Sequence, residues 1–148
     1  MIELKKNNLL FQKEVNTYLQ RIVQKKSYFN GYIFCGAEGL GKKQTALKFI
    51  EEIFKHSSQS GNIEESIGNN NHPDFLIIEP SSLLETKRSK SSDFEKTKKN
   101  GSEIIKIGQI RNIKTFLGQK SITSENKIVL IIDAHLLNEA ASNCLLKT

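Results

Sequence analysis

Gly36-Ala37-Glu38-Gly39-Leu40-Gly41-Lys42-Lys43 decides how the rest of this chain reads. It has the G-x-x-x-x-G-K spacing of a phosphate-binding loop. Ahead of it lies Gly31-Tyr32-Ile33-Phe34-Cys35, a short apolar run of the kind that forms a strand covered on both faces. Behind it, Ala46, Leu47, Ile50, Ile53 and Phe54 fall on one side of a helix that fades near His56. In such a strand-loop-helix context Gly36, Gly39 and Gly41 let backbone N–H groups turn inward on phosphates. The helix N-terminus adds its positive end, and Lys42 reaches the outer phosphates. The plainer reading of the same residues is a glycine-rich turn with a solvated lysine.

The next position is chemically wrong for hydrolysis. A working loop of this type places Ser or Thr there to hold Mg²⁺, and this chain places Lys43. An ammonium has no lone pair for a metal. At an effective dielectric of about 20, two unit charges about 4 Å apart repel by roughly 4 kcal/mol, so Lys43 also opposes a nearby dication. Thr45 is no simple substitute, because a helix turns about 200° over two residues. The second half of a hydrolytic site, an apolar strand ending in Asp-Glu, is reduced here to Asp133 followed by Ala134. Asp133 reads either as the remnant of a metal shell or as a polar strand end held by backbone N–H groups. His135 reads as a structural hydrogen-bonder, and Glu139 lies too far along to activate water. No catalytic residue and no metal ligand is assigned.

Outward from the loop, Val15, Tyr18, Leu19, Ile22 and Val23 predict an amphipathic helix from about Leu9 to Lys26. Residues 57–71 and 81–102 read as polar insertions, the first a loop and the second mobile. Asp74 to Glu79 is a strand stopped by Pro80. Ile107, Ile110, Ile113 and Leu117 predict a helix ending near Gly118, and Lys127 to Asp133 predicts the last strand. Leu136, Leu137, Ala140, Ala141, Cys144 and Leu145 follow at helical spacing into the C-terminus without a cap, so the chain reads as cut inside a helix. Alternating helices and apolar strands without a hairpin signal predict an α/β fold, a parallel sheet with helices on both faces.

The 148 residues carry 22 Lys+Arg against 16 Asp+Glu, a net charge of +6 without a long basic arm. The longest apolar run, Ile128 to Ile132, is far too short to span a bilayer, and Met1-Ile2-Glu3-Leu4-Lys5-Lys6 lacks the apolar core of a signal peptide, so the expected location is cytoplasmic. Cys35 and Cys144, each flanked by apolar residues, read as buried thiols.

Taken with the loop, Asn71-His72-Pro73-Asp74-Phe75, Ile110-Arg111-Asn112-Ile113 and the run from Asp133 through Asn143-Cys144-Leu145-Leu146-Lys147-Thr148 carry a resemblance. Over nearly its whole length, apart from the two polar insertions, the chain resembles the N-terminal part of the bacterial DNA polymerase III delta-prime subunits, clamp-loader proteins of the AAA+ class. The resemblance implies a three-layer P-loop NTPase fold, incomplete here before the sensor-1 strand that sits between Ile33 and Leu130 in the family sheet order 5-1-4-3-2. An arginine finger, lid and collar domains then lie beyond position 148, and the fragment alone is expected to be unstable or repacked. The implied role is that of an accessory subunit without intrinsic ATPase activity, acting with gamma/tau and delta subunits to place the sliding clamp on primed DNA. Lys43 and the single Asp133 match that inactive branch, which leaves room for ATP binding without hydrolysis. Many relatives hold zinc on four cysteines in the segment occupied here by His56 to Asn71, and this chain has no cysteine there, so no zinc is expected.

Two other readings stand beside it. One is an active AAA+ ATPase holding its metal through water and Asp133 alone. The other is a basic nucleic-acid binder using the stretch from Lys87 to Lys99, whose plainer reading is a solvated loop. Arg21, Arg88 and Arg111 gain no special role from their positions.

Overall fold

Leu19, Ile22 and Val23 are buried on one side of helix α1 (Lys13–Gln24) in the computed structural model, which describes residues 13–57, 62–82 and 103–147. The expected start of this helix at Leu9 lies outside the described residues. The chain divides into two compact units: residues 1–74 with 121–128, and residues 75–120 with 129–148.

In the first unit, α1 packs on α2 (Lys42–Ser57), the helix predicted to follow the glycine loop. Leu19, Ile22 and Val23 meet Phe49 and Ile53, and Tyr28, Tyr32, Phe34 and Ile128 close around them. Tyr32 stands edge-on to Phe49 with ring centroids 5.1 Å apart. The apolar stripe of α1 is narrower than its spacing suggests, since Val15 and Tyr18 are 47% and 57% exposed.

Gly31 to Cys35 departs from expectation. The segment has no strand assignment: Tyr32 and Phe34 pack on the core, while Ile33 is 89% exposed and Cys35 is exposed rather than a core thiol. The in-out alternation of a strand is present, but no strand lies alongside among the described residues to complete a ladder. Without one the outer face stays open.

The expected loop over 57–71 contains a short helix, α3 (Ile63–Gly68). Its organisation comes from Ile67, which is 3% exposed, and from polar bonds at both ends. Asn62 donates its side-chain amide to Glu65 at 2.9 Å, and the N–H groups of Asn69 and Asn71 reach Glu65 O and Ser66 O. Lys55 on α2 joins Glu64 at 2.6 Å. One buried isoleucine in a polar run is too weak a periodic signal to read as a helix.

The second unit holds the sheet. Strand β1 (Phe75–Ile78) pairs with β4 (Ile128–Ile131). The pairing is parallel: Ile128 N–H donates to Asp74 O at 3.0 Å and Ile132 N–H to Ile78 O at 2.9 Å, so both strands advance together. β4 is half-buried along its length, not covered on both faces, because the sheet has two strands among the described residues. An antiparallel pair was not foreseen: β2 (Ser81–Ser82) meets β3 (Glu103–Ile104), with Ser81 opposite Ile104. Ser81 and Ser82 of the expected 81–102 insertion thus lie in a strand, and 83–102 lies outside the described residues.

Helix α4 (Ile107–Gly118) forms as predicted and buries Ile110 and Ile113. Gln109 ties its start down, accepting from Lys106 N–H at 2.9 Å and donating to Glu79 O at 2.8 Å. The last predicted helix is split. A 3-10 turn (Ala134–Leu136) ends where Leu137 becomes extended and bridges to Ile105, and α5 (Glu139–Leu145) starts afresh. Asn138 marks the new start, accepting Ala141 N–H at 2.8 Å. Ile78, Ile105, Ile110, Ile113 and Ala141 form this unit's core, with Cys144 half-buried at its margin.

Ile110 is fully buried, so Ile110→Ala is expected to cost about 3 kcal/mol, lowering the urea midpoint without changing the slope of the transition.

Candidate functional site

The glycine loop turns where its sequence demands. Gly39 and Gly41 have φ of +82° and +75°, a backbone region that L side chains rarely adopt. Residues with a Cβ at these two positions would open the loop. Gly36 and Gly39 are exposed, Gly41 and Lys42 are half-buried, and Lys43 is exposed in the first turn of α2. Lys42 folds back over the loop: its Nζ donates to Gly36 O at 3.0 Å and to Ala37 O at 2.9 Å. The ammonium is thus anchored at the mouth of the turn that would cradle phosphate.

Thr45 is tied to the turn before it. Its backbone N–H donates to Gly41 O at 2.9 Å, and its hydroxyl donates to the same carbonyl at 3.1 Å. The side chain is buried against the helix turn before it. Its oxygen therefore serves the helix start.

Asp133 belongs to the second unit. It follows β4 in a left-handed conformation, with φ +50° and ψ +51°. Its carbonyl accepts Leu136 N–H at 2.8 Å, but its exposed side chain makes no capping bond. The reading of a carboxylate held by backbone N–H groups is therefore not realised at the turn it starts. His135 is exposed in the 3-10 turn, and Glu139 is exposed at the start of α5. Arg21 and Arg111 are exposed on α1 and α4, and Arg88 lies outside the described residues.

A buried carboxylate, Asp74, gathers a polar cluster that the sequence did not disclose. Asp74, fully buried, receives Ile122 N–H on Oδ1 at 2.8 Å. Its Oδ2 receives Thr123 N–H at 2.7 Å, Ser124 N–H at 3.0 Å and the Thr123 hydroxyl at 2.9 Å, while the Ser124 hydroxyl, 3.1 Å away, gives its one proton to Asn126 O at 2.6 Å. Burial alone would raise the Asp74 pKa, but bonds from Thr123 and Ile122 N–H, the Thr123 hydroxyl and Ser124 N–H outweigh it and lower it to about 2. His72 completes the cluster. Its ring stacks on Phe54 with centroids 4.1 Å apart, and its Nδ1 accepts Asp74 N–H at 3.2 Å. Burial holds His72 below the ordinary imidazole value against the pull of the Asp74 charge, and the bond at Nδ1 requires the neutral ring. The available signals were an Asp just before a strand and the Ser121-Ile122-Thr123-Ser124 run, but nothing in either says they meet.

Among the described residues no three His, Cys, Asp or Glu side chains converge as metal ligands would, and no helix is long and apolar enough to cross a membrane.

In comparison with known families, residues 11–148 match the family model described as DNA polymerase III, delta subunit. Neither the curated proteins nor the solved structures contain a match to the chain.

The buried pair gives a pH test with a defined sign. Asp74 is depressed from 3.8 to about 2, so its contribution is complete above the unfolded value and is lost as pH falls through the folded one. The shift corresponds to about 2 kcal/mol. Asp74→Asn also leaves an amide facing N–H donors, so the full cost at neutral pH is about 3 kcal/mol. The gap between the two proteins should hold steady from about pH 7 to pH 5 and narrow below about pH 4 in urea titrations. His72 acts at higher pH. The unfolded chain takes up a proton that the fold resists, so stability declines as pH drops below about 6.5, and His72→Asn should flatten that slope.

Proposed function

The chain belongs to the DNA polymerase III delta-subunit family, and from that premise we propose that it is the delta-prime-type member of the clamp loader, which contributes structure and contacts but does not hydrolyse ATP. Family membership makes it a DNA polymerase III subunit of the clamp-loader type. Our finer reading gives it a P-loop of the AAA+ class, gamma/tau and delta subunits as neighbours, and the sliding clamp and primed DNA as what the assembly handles. Its cytoplasmic location follows from that replication role.

The observation that carries the reading is the chemistry immediately after Lys42. Lys43 supplies a cation where Mg²⁺ needs an oxygen, and the hydroxyl of Thr45 is committed to Gly41 O. Asp133 is followed by Ala134, so no neighbouring carboxylate orients water. What this reading keeps is a glycine loop at a helix N-terminus, with Lys42, for holding a triphosphate without splitting it. Zinc has no part in this reading.

Hydrolysis assays on the purified protein separate this role from that of an active ATPase. The expected result is no magnesium-dependent turnover above that of Lys42→Ala, alone or with nucleotide in excess. Clamp loading should require the protein only when gamma/tau and delta subunits are present. Turnover by the isolated protein that Lys42→Ala abolishes would overturn the proposal.

A further inference from the structure

We propose that Asn30-Gly31 is a spontaneous deamidation site that the fold leaves unprotected. The pair lies in the bend between α1 and the segment leading into the glycine loop, and both residues are exposed. Neither takes part in a hydrogen bond among the described residues, so the Gly31 nitrogen is not withheld by a carbonyl. A Cβ built on Gly31 meets nothing within 4 Å, so space around the reacting atoms is open. The bend is pinned at its flanks: Phe29 N–H donates to the Tyr32 hydroxyl at 3.0 Å, and the two rings stand edge-on with centroids 6.0 Å apart. The tip is accessible while its shoulders are held.

The chemistry needs only water. After losing its proton to solvent, the Gly31 amide nitrogen attacks Cγ of the Asn30 side chain and forms a C–N bond, and the side-chain nitrogen leaves as ammonia. Glycine favours this step because no Cβ crowds the ring that closes. Water then opens the resulting succinimide at either carbonyl, giving an aspartate or an isoaspartate at position 30. In sum, an amide and water become a carboxylate and an ammonium ion, with no oxidant or reductant.

The isoaspartyl product carries the greater consequence. It lengthens the main chain by one carbon just ahead of Tyr32, where residues alternate between the core and solvent. Tyr32 and Phe34 pack inward and Ile33 faces out, so an added backbone atom offsets that alternation. The disturbance falls on the segment that delivers Gly36 and the loop behind it.

Incubation of the purified protein in mildly alkaline buffer, native and urea-unfolded, followed by peptide mass spectrometry, tests the proposal. The readouts are the mass gain of amide-to-acid conversion at position 30 and labelling by an isoaspartyl methyltransferase. The native rate is expected within about tenfold of the unfolded rate, as for a loop that needs almost no opening free energy. Gly31→Ala should remove most of the conversion in both states, since there is room for its methyl group. A native rate more than about tenfold below the unfolded one, or an unconverted Asn30 in both states, overturns the proposal. Asn100-Gly101, outside the described residues, lies on a separate peptide and is scored on its own.

Discussion

A buried carboxylate must be fully solvated by the protein, and Asp74 is. Four donors from Ile122, Thr123 and Ser124 converge on it, its own N–H is taken by His72, and its carbonyl starts the parallel ladder by accepting Ile128 N–H. The first hydrogen bond between β1 and β4 therefore grows from the residue that fixes the approach to β4. Phe54 stacks on His72, tying α2 to the same point. Removing the carboxylate would leave three main-chain amides without their acceptor, which explains why this one group matters more here than the exposed ion pair of Lys26 with Glu125.

The proposed absence of hydrolysis rests on residue types alone. Lysine cannot ligate magnesium whatever its rotamer, so Lys43 carries its meaning in the sequence. The structure adds that Thr45 bonds Gly41 O, a detail consistent with its place in the helix but not deducible from composition. Helices α1, α2 and α4 and strands β1 and β4 were legible for a similar reason. Their apolar spacing is long or dense enough to dominate local alternatives.

What the sequence withheld depends on partners distant along the chain. Tyr32 to Cys35 has strand composition, but a strand exists only when another takes its backbone groups, and composition does not report that. Helix α3 rests on one buried isoleucine and a few asparagine and glutamate bonds. The break before α5 comes from Leu137 bridging Ile105, which overrides a helical pattern running from Leu136 onward. The His72-Asp74 cluster was visible as a motif, but its work was not, because the acceptors and donors stand 48 or more residues apart. The delta-subunit family match covers both the segments read correctly and those read wrongly, so membership does not depend on local strand assignment.

That separation has a kinetic side. Closing a loop of 48 residues costs chain entropy before a single bond to Asp74 forms, although the cost grows only slowly with length. Helices α1 and α2 can assemble from contacts nearer in sequence, whereas the turn at 122–124 must wait for residues made long after Asp74. During synthesis the carboxylate therefore emerges before its donors and stays hydrated until they arrive. Consolidation around β4 is thus a late event in the life of the nascent chain.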